Sequence, residues 1–167
     1  MTLRKGLKSD VKDIGTIGYK AFRHFFETDS NRGELLPYID VAFSEKSIIE
    51  EFESNKNEFL LAKEDGVIIG FARLWEQKIG QLKGKALKME RLYLLPEKVG
   101  TGAGAFLMDK SIEYAKEKGY DKLWLQVFRP NIKAIQFYTK WGFSEFNTSP
   151  AKFEADNEID LWMMKDL

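Results

Sequence analysis

Apolar residues recur at three- and four-residue spacing through Val11, Ile14, Ile17, Ala21, Phe22 and Phe25. That period predicts a helix opening at the capping pair Ser9-Asp10 and running to about Phe26. Residues 2–7 before it read as a short strand, and Thr28 to Asn31 after it as a polar turn. Two helical pieces follow, near 34–43 and 45–54, divided by Ser44 as a second cap. From residue 58 the period changes. Phe59 to Ala62, the turn Glu64-Asp65-Gly66 and Val67 to Trp75 predict a hairpin. Lys78 to Lys85 is a loop, and Leu87 to Leu95 a strand stopped by Pro96. Helix 102–118 buries Leu107, Met108, Ile112 and Ala115 and ends at Gly119. Lys122 to Phe128 is a strand, Asn131 to Lys140 a short helix capped by Asn131, Gly142-Phe143 the start of another strand, and Ile159 to Lys165 the last one. The order βααα-ββ-β-α-β-α-β-β predicts an α/β fold, a mixed sheet with helices on both faces.

Composition narrows the chemistry. The 167 residues suit a single domain over 1–167, and 44% hydrophobic against 31% charged residues suits a globular core. Lys+Arg and Asp+Glu both number 26, so the basic surplus of a general nucleic-acid binder is missing and no nucleic-acid partner is expected. The chain has no cysteine, which excludes a thiolate nucleophile, a disulfide framework and Cys-based metal sites. The single histidine, His24, excludes a multi-His site, so no metal is expected. Apolar runs are far too short for a membrane span, and the N-terminus has no apolar stretch like a signal peptide, so a cytoplasmic protein without a membrane partner is expected.

One segment points to a ligand. Val99-Gly100-Thr101-Gly102-Ala103-Gly104 follows a strand and opens a helix. Glycine frees the backbone to curl, and unpaired N–H groups at a helix start favour a phosphate or pyrophosphate. The P-loop needs Gly-Lys-Ser/Thr after a four-residue gap, and no such pair stands at that spacing here. A dinucleotide fingerprint fits Gly100, Gly102 and Ala105, but Pro96 to Val99 intervene after the strand and no carboxylate ends the strand Leu123 to Phe128. A dinucleotide-binding module stays as an alternative.

Two further runs carry a resemblance. Arg91-Leu92-Tyr93-Leu94-Leu95-Pro96-Glu97 with Gly102-Ala103-Gly104, and the motif from Asn131 through Ala134, Phe137-Tyr138 and Gly142-Phe143, have the order and spacing of the GNAT acyl-CoA N-acyltransferases. The second motif, N-x-x-A-x-x-F-Y-x-x-x-G-F, is the more specific, and together they cover about residues 87–145. Ala21-Phe22, Tyr38-Ile39 and Ala42-Phe43 resemble the bacterial spermidine/spermine N-acetyltransferases of the PaiA type. The resemblance implies a mostly antiparallel sheet with splayed central parallel strands. It implies acetyl-CoA as cosubstrate, with the pantetheine arm along the backbone of Tyr93 and Leu94 and the pyrophosphate on Val99, Gly100, Thr101, Gly102, Ala103 and Gly104. Asn131 would contact the cofactor. Val99 departs from the family's Gln/Arg at its position, which removes one side-chain contact to the phosphate.

The reaction so implied is direct attack of an amine on the thioester in a ternary complex, which needs two proton transfers. An amine with a pKa of about 10 must lose a proton, and a thiolate with a conjugate pKa of about 8.5 gains from a donor. Tyr138 stands at the family's position for that acid. The base is open between Glu90, in the central strand, and Glu76, at the end of the strand before it, with His24 as a third candidate. Trp75, Trp124, Trp141 and Trp162 are expected in the core or at a homodimer contact. The lysines at 78, 83, 85 and 88 are expected in solvent, with one of them a candidate contact to the cofactor's ribose phosphate.

For the acceptor, charge distribution is informative. Residues 27–58 hold nine acids and three bases, a net of −6, on the stretch that walls the acceptor side in this family. Such a wall would draw in a cationic small-molecule amine such as a polyamine. A non-catalytic acyl-CoA sensor on the same fold is the rival reading, against which the presence of Tyr138 argues.

Overall fold

The computed structural model describes residues 1–27, 36–151 and 158–167. The strands are β1 (Thr2–Lys5), β2 (Asn57–Glu64), β3 (Val67–Trp75), β4 (Ala86–Leu94), β5 (Lys122–Phe128), β6 (Ser144–Pro150) and β7 (Ile159–Asp166). The helices are α1 (Val11–Glu27), α2 (Leu36–Ala42), α3 (Glu45–Glu53), α4 (Ala103–Glu117) and α5 (Ile132–Lys140). One seven-stranded sheet has the order β1-β2-β3-β4-β5-β7-β6. The β1/β2, β2/β3, β5/β7 and β6/β7 pairs are antiparallel and β4/β5 is parallel. The mixed, mostly antiparallel sheet is the one expected from the sequence. The polar turn Thr28 to Asn31, the start of the helical piece at 34–43, and the acids Asp29 and Glu34 lie outside the described residues.

The chain divides into two compact units, residues 1–75 with 91–111, and residues 76–90 with 112–167. In the first, the apolar stripe of α1 does what its spacing predicts. Val11, Ile14 and Ile17 bury against Ile48 of α3 and Phe59, Leu61, Ile68 and Phe71 of β2 and β3. Strand side chains alternate faces, and the register shift of the β2–β3 pair at Ala62/Lys63 lets Ile68 and Phe71, three residues apart, face the same helix layer. Ser44 caps α3 by accepting from the Ser47 N–H at 3.2 Å. Asp65 and Gly66, with φ of 50° and 82°, make the β2–β3 turn, a left-handed pair suited to a two-residue hairpin.

In the second unit, β5 lies between β4 and β7 and is buried on both faces: Leu123, Trp124 and Leu125 are each at most 1% exposed. Trp124 stacks on Trp162 of β7 at 5.3 Å. Gly119 and Gly142, with φ of 69° and 83°, terminate α4 and α5 in the left-handed conformation that stops a helix.

Candidate active site

In the first unit the candidate stretch begins at the end of β4. Tyr93 packs edge-on against Phe43 and Phe71, both at 5.8 Å between ring centres. Its ring is thereby committed to the core, leaving its main chain as the part that could meet a ligand. Beside it β3 comes unusually close. A Cβ at Gly70 would stand 2.8 Å from the Tyr93 carbonyl oxygen and 2.4 Å from Leu94 Cδ2, so only glycine fits there. The Leu95 N–H then bonds the Ile69 carbonyl at 2.9 Å.

A short 3-10 turn at Pro96–Lys98 leads into the glycine segment, with Lys98 paired to Glu64. Gly100 and Gly102 have φ of 82° and 93°, and a Cβ at either would meet only open space. Backbone conformation rather than crowding therefore demands glycine at these two positions. Gly104 lies inside the first turn of α4. The first bond of that helix runs from the Phe106 N–H to the Gly102 carbonyl at 2.9 Å, so the N–H groups of Ala103, Gly104 and Ala105 precede the helical ladder. Ala103 is fully buried, while Gly100, Thr101 and Gly102 are exposed. Val99 is 64% exposed. The result is a curled main chain with helix-start donors, chemistry suited to an anion.

The second unit contains the other candidates. The parallel β4–β5 ladder covers Ala86 to Lys88 against Lys122 to Trp124, although β4 runs on to Leu94 and β5 to Phe128. At its end lies a buried polar group. Lys88 Nζ is 2.6 Å from Glu90 Oε2, donates to Gln126 Oε1 at 2.6 Å, and stands 4.9 Å from the centre of the Trp124 ring. The expectation that Lys88 is solvated is wrong: the residue is 4% exposed. β4 is an inner strand buried on both faces there, so a lysine between Leu87 and Met89 points into protein rather than water. Lys85 also departs from a free loop lysine, donating to the Lys118 carbonyl at 2.9 Å.

Asn131 caps α5, its Oδ1 accepting from the Ala134 N–H at 3.1 Å. Tyr138 is half-buried between Phe137 and Phe143, with ring centres 5.5 and 5.9 Å away. Of the other base candidates, Glu76 accepts a hydrogen bond from Tyr120, whose phenol is pushed up first by burial and then by that carboxylate. His24 is exposed and lines a groove of about 630 Å³ with Lys12, Lys20 and Arg23 on α1.

Sequence reasoning missed one cluster in the first unit. Glu51 bridges Arg73 at 2.7 Å and Arg91 at 2.8 Å, and Arg73 Nε donates to Asn57 Oδ1 at 2.9 Å. Its one available signal was the arginine inside the Arg-Leu-Tyr run of β4. Nothing in local spacing couples it to an acid 40 residues earlier. Among the described residues, no group of three or more His, Cys, Asp or Glu is placed to hold a metal ion, and no helix is long and apolar enough to cross a membrane.

Known proteins resemble this chain over most of its length. The profile of the Acetyltransferase (GNAT) family matches residues 19–143. An uncharacterized N-acetyltransferase of Mycobacterium bovis is 33% identical over 135 residues, covering 80% of this chain and 82% of that protein. The streptothricin acetyltransferase of Streptomyces lavendulae is 30% identical over 118 residues, 66% of this chain and 58% of that protein. Among solved structures, the PaiA N-acetyltransferase of Thermoplasma acidophilum, in complex with coenzyme A, superposes with a TM-score of 0.79 at 23% identity, covering 100% of both chains.

Proposed function

Because the chain belongs to the GNAT acetyltransferase family, we propose that it transfers the acetyl group of acetyl-CoA directly to a primary amine of a small molecule. The observation that carries this reading is the turn after β4, where Gly100 and Gly102 adopt left-handed angles and α4 opens with unladdered N–H groups. Coenzyme A offers a pyrophosphate to such a turn, and it is the ligand of the Thermoplasma relative. In this reading the pyrophosphate is held by the backbone from Val99 to Gly104, the pantetheine arm pairs along Tyr93 and Leu94, and Asn131 adds a cofactor contact besides its capping bond.

The chemistry follows from the two proton transfers. The amine nitrogen attacks the thioester carbonyl carbon and the carbon–sulfur bond breaks. Glu90 takes the proton that the amine gives up, and Tyr138 supplies one to the departing CoA sulfur. Glu90 is favoured over Glu76 and His24 because it lies on β4 itself, the strand that carries Tyr93 and Leu94. Glu90 pairs with Lys88, whose Nζ lies 2.6 Å from its Oε2.

For the acceptor we propose a polyamine-like cation, on a narrower basis than the −6 of residues 27–58. Glu51, Glu53 and Glu58 of that stretch pair with Arg73 and Arg91, with Lys8 and with Lys5. Asp40, Glu45 and Glu50 are exposed acids that could attract a cation.

A thiol-release assay with acetyl-CoA and a panel of amines tests the reading, with calorimetry of acetyl-CoA, NAD and ATP beside it. Turnover on a small amine together with micromolar-range acetyl-CoA binding is the expected result. Binding of acetyl-CoA with no turnover on any amine would favour the sensor, and binding of NAD alone the dinucleotide module.

A further inference from the structure

We infer that Lys88 is a positioning residue for the proposed base: its buried ammonium holds the Glu90 carboxylate in one orientation and so sets the rate of amine deprotonation. This rests on the reading of Glu90 as the base.

The side chains of Lys88 and Glu90 are 5% and 13% exposed. Removing an ammonium from water is costly, and an apolar residue of similar length would fill the space without that cost. The lysine therefore needs a reason beyond packing, and its contacts give one. Nζ meets Glu90 Oε2 and Gln126 Oε1, each at 2.6 Å, over the face of Trp124.

Those partners are themselves fixed. Gln126 Nε2 donates to Ser149 Oγ at 3.4 Å, and the Trp162 indole N–H donates to the same oxygen at 2.8 Å. Trp162 in turn stacks on Trp124. The amide of Gln126 has its oxygen toward Lys88 and its nitrogen toward Ser149, so the ammonium's partners on β4 and β5 are backed by β6 and β7.

One effect on the reaction follows. A carboxylate has a broad, two-fold terminal torsion, and a close cation removes that freedom before the amine arrives. It acts on the chemical step, so kcat should respond and the KM for acetyl-CoA should not.

The test is a double-mutant cycle of Lys88→Met, Glu90→Gln and the double variant, with Lys88→Arg as the conservative rescue. Lys88→Met is expected to lower kcat about ten- to a hundredfold, the scale of a proton-transfer effect, with the KM for acetyl-CoA within about twofold of the parent. The double variant should be no slower than Glu90→Gln alone, because a residue acting only through Glu90 has nothing left to act on. Lys88→Arg should recover most of the loss. Lys88→Met alone leaves a buried carboxylate without its cation. Should it fail to fold, Lys88→Gln, polar but uncharged, takes its place in the cycle with the same expected loss of kcat. Losses that multiply in the double variant, or a Lys88→Met enzyme at parental kcat, would overturn the positioning role while leaving the base in place. A Glu90→Gln enzyme at parental kcat would remove the base and this inference with it.

Discussion

Tyr138 is the residue on which the proposed chemistry turns. Its ring packs against Phe137 and Phe143, so Tyr138→Phe keeps the packing and removes only the hydroxyl. A loss of roughly ten- to a thousandfold in kcat, with acetyl-CoA affinity retained, is the expected outcome in steady-state kinetics and calorimetry. Turnover within twofold of the parent would assign protonation of the thiolate to water. A second residue-scale prediction concerns stability. Asp10 accepts two hydrogen bonds from the Arg4 guanidinium, both at 2.8 Å, and one from the Leu7 N–H at 2.7 Å. The Arg4 bonds, ahead of the other influences, hold its carboxyl below the ordinary value. The stabilisation is therefore full above the unfolded-state pKa of about 3.9 and is lost as pH falls through the lower folded value. Asp10→Ala should cost about 2 kcal/mol at neutral pH in urea denaturation, and the difference from the parent should shrink toward the acid end.

At the scale of elements, the turn between β4 and α4 separates two uses of glycine. Gly100 and Gly102 need left-handed angles, whereas Gly104 is part of a helical turn. Gly102→Val forces a β-branched side chain into an angle it resists and places it in the open space proposed for the pyrophosphate. Acetyl-CoA affinity should fall by about tenfold or more in calorimetry, with Gly104→Ala well below that loss. Equal losses in the two variants would mean that helix packing, not the curl of the chain, governs binding.

For the molecule as a whole, charge is the property that could select the acceptor. The formal net charge is zero, so long-range attraction depends on where the acids lie. If the acids of residues 27–58 attract the acceptor, spermidine should be acetylated with a lower KM than a monoamine of similar length. That advantage should shrink as salt rises, since screening shortens to about 8 Å near physiological ionic strength. Neutralising Asp40, Glu45 and Glu50 together should raise the KM for spermidine with little change in kcat, because such charges bind ground and transition states alike. A parent that prefers the monoamine at both salt concentrations would discard the polyamine while keeping the acetyltransferase.

The sequence by itself determined what depends on near neighbours. The 3.6-residue period of α1, the Asp65-Gly66 hairpin turn, the Ser44 and Asn131 caps and the glycine stops at 119 and 142 all stand as spacing and local chemistry predict, because each is decided within a few residues. The glycine turn and the motif around Tyr138 were legible for the same reason. Tertiary structure decided the environment of charged side chains. Lys88 reads as one lysine among several near a loop, yet an inner strand of the sheet buries it against Gln126, 38 residues away. Glu51 reads as part of an acidic wall, yet two arginines from β3 and β4 neutralise it. A charge in a sequence has no fixed partner. For Glu51 it is long-range packing that brings the partners to within 3 Å, and such a meeting decides whether a carboxylate attracts a ligand, accepts a proton or holds the fold together.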